Sequence, residues 1–235
     1  MGVNIHAFVV IKAALFFTKI FSHDILFLIG FKTVFTTIMK EDYAMSNHAS
    51  AVSAEEALAK LKSGNETYLN ASANPGDISP AIRKDTCDNG QHPYAIVITC
   101  SDSRVIPESI FSAGIGELFT IRVAGNVIDN IQLGSVEYAA DHLGTNLIVV
   151  LGHTNCGAVG AAMGSGVTGF IKSITDEIKS AIGEETDPYK ASCLNVENSI
   201  RHIAEGLHIP PEGNEKGWKV IGAVYHIDDG HVEFL

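Results

Sequence analysis

Two short polar stretches decide the predicted fold: Cys100-Ser101-Asp102-Ser103-Arg104 and His153-Thr154-Asn155-Cys156. The first follows the apolar run Ala95-Ile96-Val97-Ile98, and the second follows Leu147-Ile148-Val149-Val150-Leu151. Such runs are typical of buried strands in a parallel sheet, where ligands bind at the carboxyl ends of the strands. The sequence therefore predicts that the two polar stretches meet at one edge of a sheet.

Cys100, His153 and Cys156 are predicted to bind a catalytic zinc ion. Two thiolates and an imidazole supply three protein ligands, and a catalytic zinc keeps its fourth position open for water or substrate. The alternative is a structural zinc closed by a fourth residue, for which Asp102 is near enough. The other two cysteines, Cys87 and Cys193, belong to neither stretch and are expected to be partly buried free thiols.

Asp102 and Arg104 are predicted to form a fork-shaped ion pair. In an extended segment their side chains lie on the same side of the backbone. The pair would keep Asp102 ionised, so that it accepts a hydrogen bond from zinc-bound hydroxide and orients it. The alternative is a helix-capping aspartate with a surface salt bridge.

The rest of the chain alternates helices and strands. Ser53 and Glu56 form a capping-box pattern that predicts a helix to about Tyr68. Strands are predicted at about 94–99, 117–123, 147–151 and 220–227, with a hairpin at Asp229-Gly230 leading into 232–235. A helix from Leu133 to His142 is expected to close at Gly144, and another to start after Cys156.

Two apolar stripes at helical spacing are expected to face the core. They are Phe170, Ile171, Ile174, Ile178 and Ile182 in one helix, and Val196, Ile200, Ile203 and Leu207 in the next. The predicted fold is therefore α/β, with a mainly parallel sheet flanked by helices, in a single catalytic domain that carries an N-terminal helical arm.

Composition narrows the classes of partner. A chain of 235 residues with 46% apolar residues suits one globular domain plus an appendage. The formal net charge of -11 argues against non-specific binding to nucleic acid or to anionic membranes.

Residues 1–44 form an apolar and basic extension ahead of a domain at 45–235. Lysines interrupt its apolar runs before they reach the ~18 residues of a spanning helix. The segment weakly resembles an organellar targeting peptide, which would allow an organellar or membrane-associated location. The favoured interpretation is that Met45 is the true start, and membrane contact would require residues 1–44 to be retained.

The two polar stretches together resemble the β-class carbonic anhydrases. The spacing of 53 between Cys100 and His153 fits that family, as do Ala124-Gly125-Asn126 and Glu137-Tyr138-Ala139. The resemblance extends from about Ser53 to Leu235. It implies reversible hydration of carbon dioxide to bicarbonate and a proton by a zinc lyase, with one zinc per subunit.

The resemblance also implies roles for individual residues. Cys100, His153 and Cys156 would hold zinc, and Asp102 with Arg104 would be the catalytic dyad. Gln91 would reach the bicarbonate site of a neighbouring subunit in a homodimer or larger homo-oligomer, and the Gly157 amide would orient substrate oxygen. Phe119 and Tyr138 match positions along the substrate channel, with core packing as an equal alternative.

Thiolate ligands favour a reducing compartment, and no convincing signal peptide is found, so a cytoplasmic location is expected. Some bacterial members carry an inhibitory bicarbonate pocket with a tryptophan at the position of Val97. Arg122 matches the arginine of that pocket, but without the tryptophan the site should stay open, with water on zinc. The proton shuttle is left unassigned, although His92 is one candidate among ten histidines.

Three alternatives follow from the same residues. Carbonyl sulfide and carbon disulfide hydrolases resemble this family and keep the same zinc residues. A zinc-stabilised interaction module without catalysis would be favoured only if Asp102 or Arg104 were missing. A nucleotide-binding protein is disfavoured, because neither glycine-rich phosphate-binding motif occurs.

Overall fold

The computed structural model describes residues 52–235. The predicted extension 1–44 and the alternative start at Met45 lie outside these residues, and both stay predictions. The described helices are α1 (Ala54–Asn70), α2 (Pro80–Asn89), α3 (Pro107–Ile110), α4 (Asn130–His142), α5 (Gly157–Met163), α6 (Ile171–Ile182) and α7 (Pro188–Gly206). The strands are β1 (Ala95–Thr99), β2 (Leu118–Arg122), β3 (Leu147–His153), β4 (Lys219–Tyr225) and β5 (Val232–Phe234).

The strands form one five-stranded sheet in the order β2-β1-β3-β4-β5. The pairs β1–β2, β1–β3 and β3–β4 are parallel, and only β5 runs antiparallel to its neighbour. The predicted α/β class with a mainly parallel sheet is confirmed. The carboxyl ends of β1 and β3 are adjacent, because Thr99 pairs with Leu151.

Both faces of the sheet are covered, which explains why every residue of β1 and β3 is buried. Alternate residues of a strand point to opposite faces. Val97 and Val149 pack with Leu61 of α1, whereas Ile98 and Val150 pack with the other face's helices α4 and α7. The predicted N-terminal helical arm therefore contributes to the core.

The predicted helix boundaries rest on recognisable caps. Ser53 and Glu56 make the predicted capping box at the start of α1. Helix α4 ends at His142, and Gly144 follows with a φ of 70°, as expected for a residue that stops a helix. Helices α2 and α3 were not predicted; Ser79 caps α2 by accepting a hydrogen bond from the Ile82 amide.

Two predictions about burial are wrong. Phe170 and Ile171 do not face the core: their exposed fractions are 97% and 60%, whereas Ile178 and Ile182 further along α6 are buried. Phe170 is the N-cap residue of α6 and Ile171 its first residue, and the buried residues of the helix begin at Thr175. Cys87 is exposed rather than partly buried, because α2 has no buried residue.

Strand β3 is longer than predicted and ends at His153 rather than Leu151. Its last residue is thereby held in the sheet opposite Tyr225 of β4. Among residues 52–235, no helix combines the length and the apolar character needed to cross a membrane.

Candidate metal centre

Cys100, His153 and Cys156 meet at the carboxyl edge of the sheet. Cys100 follows β1, His153 is the last residue of β3, and Cys156 is the N-cap residue of α5. Their sulfur and ring nitrogen atoms all lie within 4.8 Å of one another, and all three residues are buried. The parallel pairing of β1 with β3 thus brings together residues that are 53 apart in sequence.

One ring nitrogen of His153 makes a hydrogen bond within the described residues, and the other has no hydrogen-bond partner there. Its Nδ1 lies 2.9 Å from the Thr154 carbonyl oxygen, which can only accept, so Nδ1 carries the proton. Nε2 then carries a lone pair, and it is buried without a hydrogen-bond partner among the described residues. An unpaired buried nitrogen is costly. A cation bound between this nitrogen and the two sulfurs would satisfy it, so the donor set fits a metal ion.

The side chains of Cys100 and Cys156 lie close together, and each shifts the pKa of the other. The interaction with the Cys156 side chain is the main cause that lowers the pKa of the Cys100 thiol. The pKa of Cys156 is raised, first by its interaction with the Cys100 side chain and then by burial of the thiol. The backbone nitrogen of Gly125, 3.3 Å from Cys100 Sγ, also donates to this sulfur and favours the Cys100 thiolate. A bound divalent cation would favour deprotonation of both sulfurs.

Asp102 and Arg104 form the predicted fork-shaped ion pair. Arg104 Nε donates to Asp102 Oδ1 at 2.9 Å, and Nη2 donates to Oδ2 at 2.7 Å. The side-chain hydrogen bonds from Arg104 are the main cause that holds the pKa of Asp102 well below its usual range. Arg104 Nη2 also donates to the Asn155 carbonyl at 3.3 Å, which ties the first polar stretch to the second.

Arg122 at the end of β2 supports the same loop. Its Nε donates to the Cys100 carbonyl at 3.2 Å and its Nη2 to the Asp102 carbonyl at 2.7 Å. Val97, at the position where a tryptophan was considered, is fully buried in the core. The absence of an inhibitory pocket and the open resting state remain predictions.

The predicted substrate residues lie in three places. Gly157 is the exposed first residue of α5, with open space where a Cβ would stand. Gln91 is exposed and precedes β1, at the opposite end of the strand from Cys100. Phe119 and Tyr138 contact each other, with ring centroids 6.2 Å apart.

Within one chain, Phe119 and Gln91 do not approach the Cys-His-Cys cluster. Phe119 pairs with Ile96, four residues before Cys100, which corresponds to about 13 Å along the strand. The five residues of β1, about 17 Å of strand, separate Gln91 from Cys100.

Sequence reasoning missed Asn195 and Ser199 of α7. Asn195 Nδ2 donates to the Gly125 carbonyl at 2.8 Å, and Ser199 Oγ donates to the Asn126 carbonyl at 2.9 Å. A signal was available: these residues are four apart, and polar residues within the apolar stripe of α7 need partners.

Fold and cluster together define a class: an α/β protein with a candidate metal centre at the carboxyl edge of a parallel sheet. The family model described as "Carbonic anhydrase" matches residues 95–232. A carbonic anhydrase of Mycolicibacterium smegmatis is 36% identical over 191 residues, covering 74% of this chain and 89% of the relative. Carbonic anhydrase 2 of Mycobacterium tuberculosis is 33% identical over 186 residues, covering 72% and 87%.

Solved structures of similar fold agree with this match. A tetrameric β-carbonic anhydrase of Sordaria macrospora has a TM-score of 0.58 and 26% identity, covering 66% of this chain and 87% of that chain. The β-carbonic anhydrase CafA of Aspergillus fumigatus has a TM-score of 0.57 and 27% identity, covering 66% and 81%. The chain belongs to the β-class carbonic anhydrase family, as its two polar stretches predicted.

Proposed function

We propose that this protein is a zinc enzyme that reversibly hydrates carbon dioxide to bicarbonate and a proton. One observation carries the proposal: the unpartnered Nε2 of His153 faces two cysteine sulfurs, beside an aspartate held by a bidentate arginine. The match to the carbonic anhydrase family model and its named relatives supports the choice of reaction.

Cys100, His153 and Cys156 would hold one zinc ion per subunit. Borderline-soft Zn²⁺ accepts thiolate and imidazole ligands, and three protein ligands leave a position for water or substrate. When bound, zinc lowers the pKa of its water to about 7, which supplies a nucleophile near neutral pH. The hydrogen bond of His153 Nδ1 to the Thr154 carbonyl orients the ring, which leaves Nε2 as the nitrogen that would bind the ion.

Asp102 would act as a hydrogen-bond acceptor that orients the attacking water. Its Oδ2 lies 4.0 Å from His153 Nε2, so the carboxylate borders the space where the water would stand. Because Arg104 keeps its pKa low, Asp102 stays ionised and only accepts near neutral pH. By accepting a hydrogen of that water, Asp102 would direct an oxygen lone pair toward the carbon of carbon dioxide. Asp102 and Arg104 are therefore proposed as the catalytic dyad.

Gly157 would orient the substrate through its backbone amide. The first N–H groups of a helix have no partner within the helix, and Gly157 opens α5 directly after Cys156. The open space at its Cα leaves room for a small oxyanion beside the cluster. The amide is suited to a bicarbonate oxygen.

Gln91, Phe119 and Tyr138 are proposed to act on the cluster of a neighbouring subunit. Gln91 and Phe119 lie too far along the sheet to reach their own cluster, and Tyr138 contacts Phe119. Gln91 is exposed and Tyr138 is 44% exposed, so both side chains are accessible to a neighbouring subunit. We therefore propose a homodimer or larger homo-oligomer as the active unit; one solved relative is described as tetrameric.

The proposed partners are carbon dioxide and bicarbonate, without nucleic acid, as the net charge of -11 favours. Membrane contact would depend on residues 1–44. We keep a cytoplasmic location as a proposal, because thiolate ligands are best preserved in a reducing compartment. Fractionation of cells that express the full chain from its own start site would test it, with recovery in membranes or organelles as the contrary result.

Stopped-flow measurement of carbon dioxide hydration tests the proposed reaction, with zinc quantified on the same full-length sample. We expect rapid hydration, about one zinc per chain, and loss of activity when a chelator removes the metal. Restoration by added zinc completes the test. Stoichiometric zinc without hydration between pH 7 and 9 would contradict the proposed reaction.

A further inference from the structure

The turn Ala124–Asn126 places a backbone donor on one of the proposed zinc ligands. The Gly125 N–H lies 3.3 Å from Cys100 Sγ. The turn adopts an uncommon backbone, with a φ of 70° at Gly125 and 45° at Asn126. Asparagine tolerates this region better than most residues, but it still needs support from its surroundings. The donor is thus held by a conformation that the local sequence does not fix alone.

Helix α7 supplies that support from one side. Asn195 Nδ2 donates to the Gly125 carbonyl at 2.8 Å, and Ser199 Oγ donates to the Asn126 carbonyl at 2.9 Å. Asn195 and Ser199 are one helical turn apart, and each is only 1% exposed. Two consecutive carbonyls of the turn are therefore anchored by two buried side chains of one helix face.

Helices α5 and α6 confine the turn from another side. A Cβ built on Gly125 would stand 2.7 Å from Ile178 Cδ1 and 3.0 Å from Ala158 Cβ. The glycine is in close contact with both helices, so the turn has little room to move away from Cys100. Its position depends on packing against α5 and α6 and on hydrogen bonds to α7.

The polar character of Asn195 is not explained by packing. Its Oδ1 is among the buried side-chain atoms of residues 52–235 that have no hydrogen-bond partner, as is Asn126 Nδ2. A half-satisfied buried amide carries a desolvation cost that an aliphatic side chain avoids. The bond from Asn195 Nδ2 to the turn is the interaction that offsets this cost.

We propose that Asn195 and Ser199 are positioning residues that keep the Gly125 N–H on Cys100 Sγ and so reduce the electron density of that sulfur. Hydrogen bonds to a metal ligand, from groups that do not bind the metal themselves, change the affinity and the electronic properties of a metal site. The effect on a metal rests on the proposed function; the anchoring of the turn does not.

Amide hydrogen exchange of Gly125, followed by NMR on the folded full-length chain, tests the anchoring directly. We expect Asn195→Ala to speed exchange at Gly125 about tenfold and Ser199→Ala to speed it less, as for loss of one buried hydrogen bond. Ser192→Ala is the matched control: Ser192 is buried on the same helix, but its hydroxyl bonds only the Pro188 carbonyl of that helix. Exchange at Gly125 should stay within about twofold in this control.

Replacing the metal by Co²⁺ tests whether the Gly125 N–H reduces the electron density of Cys100 Sγ. Losing the N–H···S bond leaves Cys100 more electron-rich, so the sulfur-to-cobalt charge-transfer band should shift to longer wavelength in Asn195→Ala and not in Ser192→Ala. Unchanged exchange at Gly125 in both Asn195→Ala and Ser199→Ala would overturn the proposal. An unchanged cobalt band despite faster exchange would overturn its electronic part.

The two proposals can fail separately. If the parent chain binds neither zinc nor cobalt, the zinc enzyme is contradicted, while the exchange rates of the metal-free variants still decide the anchoring. If Asn195→Ala does not fold, Ser199→Ala gives the same readout with a smaller change. A parent that hydrates carbon dioxide, with Gly125 exchange unchanged in every one of these variants that folds, would retain the enzyme and overturn the anchoring.

Discussion

His153 Nε2 lies 4.0 Å from Asp102 Oδ2, on the opposite side of the ring from Nδ1, which contacts the Thr154 carbonyl. The imidazole therefore lies between a backbone acceptor on one side and two sulfurs and a carboxylate on the other. The carboxylate is already paired with Arg104 and does not need His153 as a partner. This arrangement leaves Nε2 available to a metal, and it underlies the predictions below.

Cys156→Ser should abolish the proposed binding of zinc. A serine hydroxyl is a poor substitute for a thiolate as a zinc ligand. Losing a residue that binds the metal directly should weaken zinc affinity by more than the roughly 10–100-fold that is typical when a residue bonded only to a ligand is changed. Competition with a chromogenic chelator measures the affinity. Cys193→Ser is the control, because this partly buried thiol lies outside the cluster. Equal zinc content in the two variants would contradict the assigned ligand.

Asp102→Ala should keep zinc and lose about 10²–10³-fold in kcat/KM, the range for removing a group that orients or stabilises the reacting atoms. Stopped-flow hydration with zinc quantified on the same sample measures both quantities. Asp88→Ala is the control, since Asp88 is exposed and pairs only with Lys84 on the surface of α2. Full hydration activity in Asp102→Ala would refute the role of the dyad.

Gln91→Ala should lower kcat/KM with zinc intact, and mixing subunits can locate the site that Gln91 serves. Co-refolding Gln91→Ala with Cys156→Ser chains makes hybrids in which a zinc-bearing subunit faces an intact Gln91 of its partner. Random pairing puts half the dimers in hybrids, so about a quarter of wild-type activity should return. If Gln91 acts within its own chain, the mixture will recover nothing. Zinc loss from Gln91→Ala would contradict the substrate role.

The C-terminal hairpin should carry a pH-dependent contribution to stability through Glu233. Tyr189 donates to Glu233 Oε2 at 2.5 Å, and this bond is the main cause that lowers the pKa of the carboxyl, followed by the bond with His226. A lowered acid pKa stabilises the fold above the ordinary glutamate pKa of about 4.3, and the contribution is lost as pH falls through the folded-state pKa.

Tyr189→Phe should therefore raise the pKa of Glu233 toward its ordinary value, as followed by ¹³C NMR of the carboxyl carbon. The difference in unfolding free energy between parent and variant should be present at neutral pH and shrink in acid. A pKa unchanged by the substitution would contradict the assigned cause.

Gly125→Ala and Gly134→Ala should change stability in opposite directions. At Gly125 a Cβ meets Ile178 and requires a φ of 70°, so we expect a loss of about 1–3 kcal/mol in the free energy of unfolding. Gly134 lies in α4 with nothing within 4 Å of its Cβ position, and alanine there should add about 0.5–1 kcal/mol. Urea denaturation measures both. A stable Gly125→Ala variant would contradict the tight packing of the turn.

The elements that sequence predicted well are those whose signals are local. The capping box of Ser53 and Glu56, the apolar runs of β1 and β3, and the stop at Gly144 each depend on neighbours within a few residues. Phe170 and Ile171 were predicted wrongly because periodicity identifies the apolar side of a helix, not the point where the core beside it ends.

The sequence by itself determined which side chains could bind a metal and which family the chain belongs to. The identities and the spacing of Cys100, His153 and Cys156 can be read directly from the sequence. Tertiary structure alone decided what surrounds these residues. Parallel pairing of β1 with β3 brought the donors within 4.8 Å, and α7 anchored the turn that presents the Gly125 amide to Cys100. Contacts between residues 70 apart depend on how the helices pack on the sheet, and no local pattern encodes them.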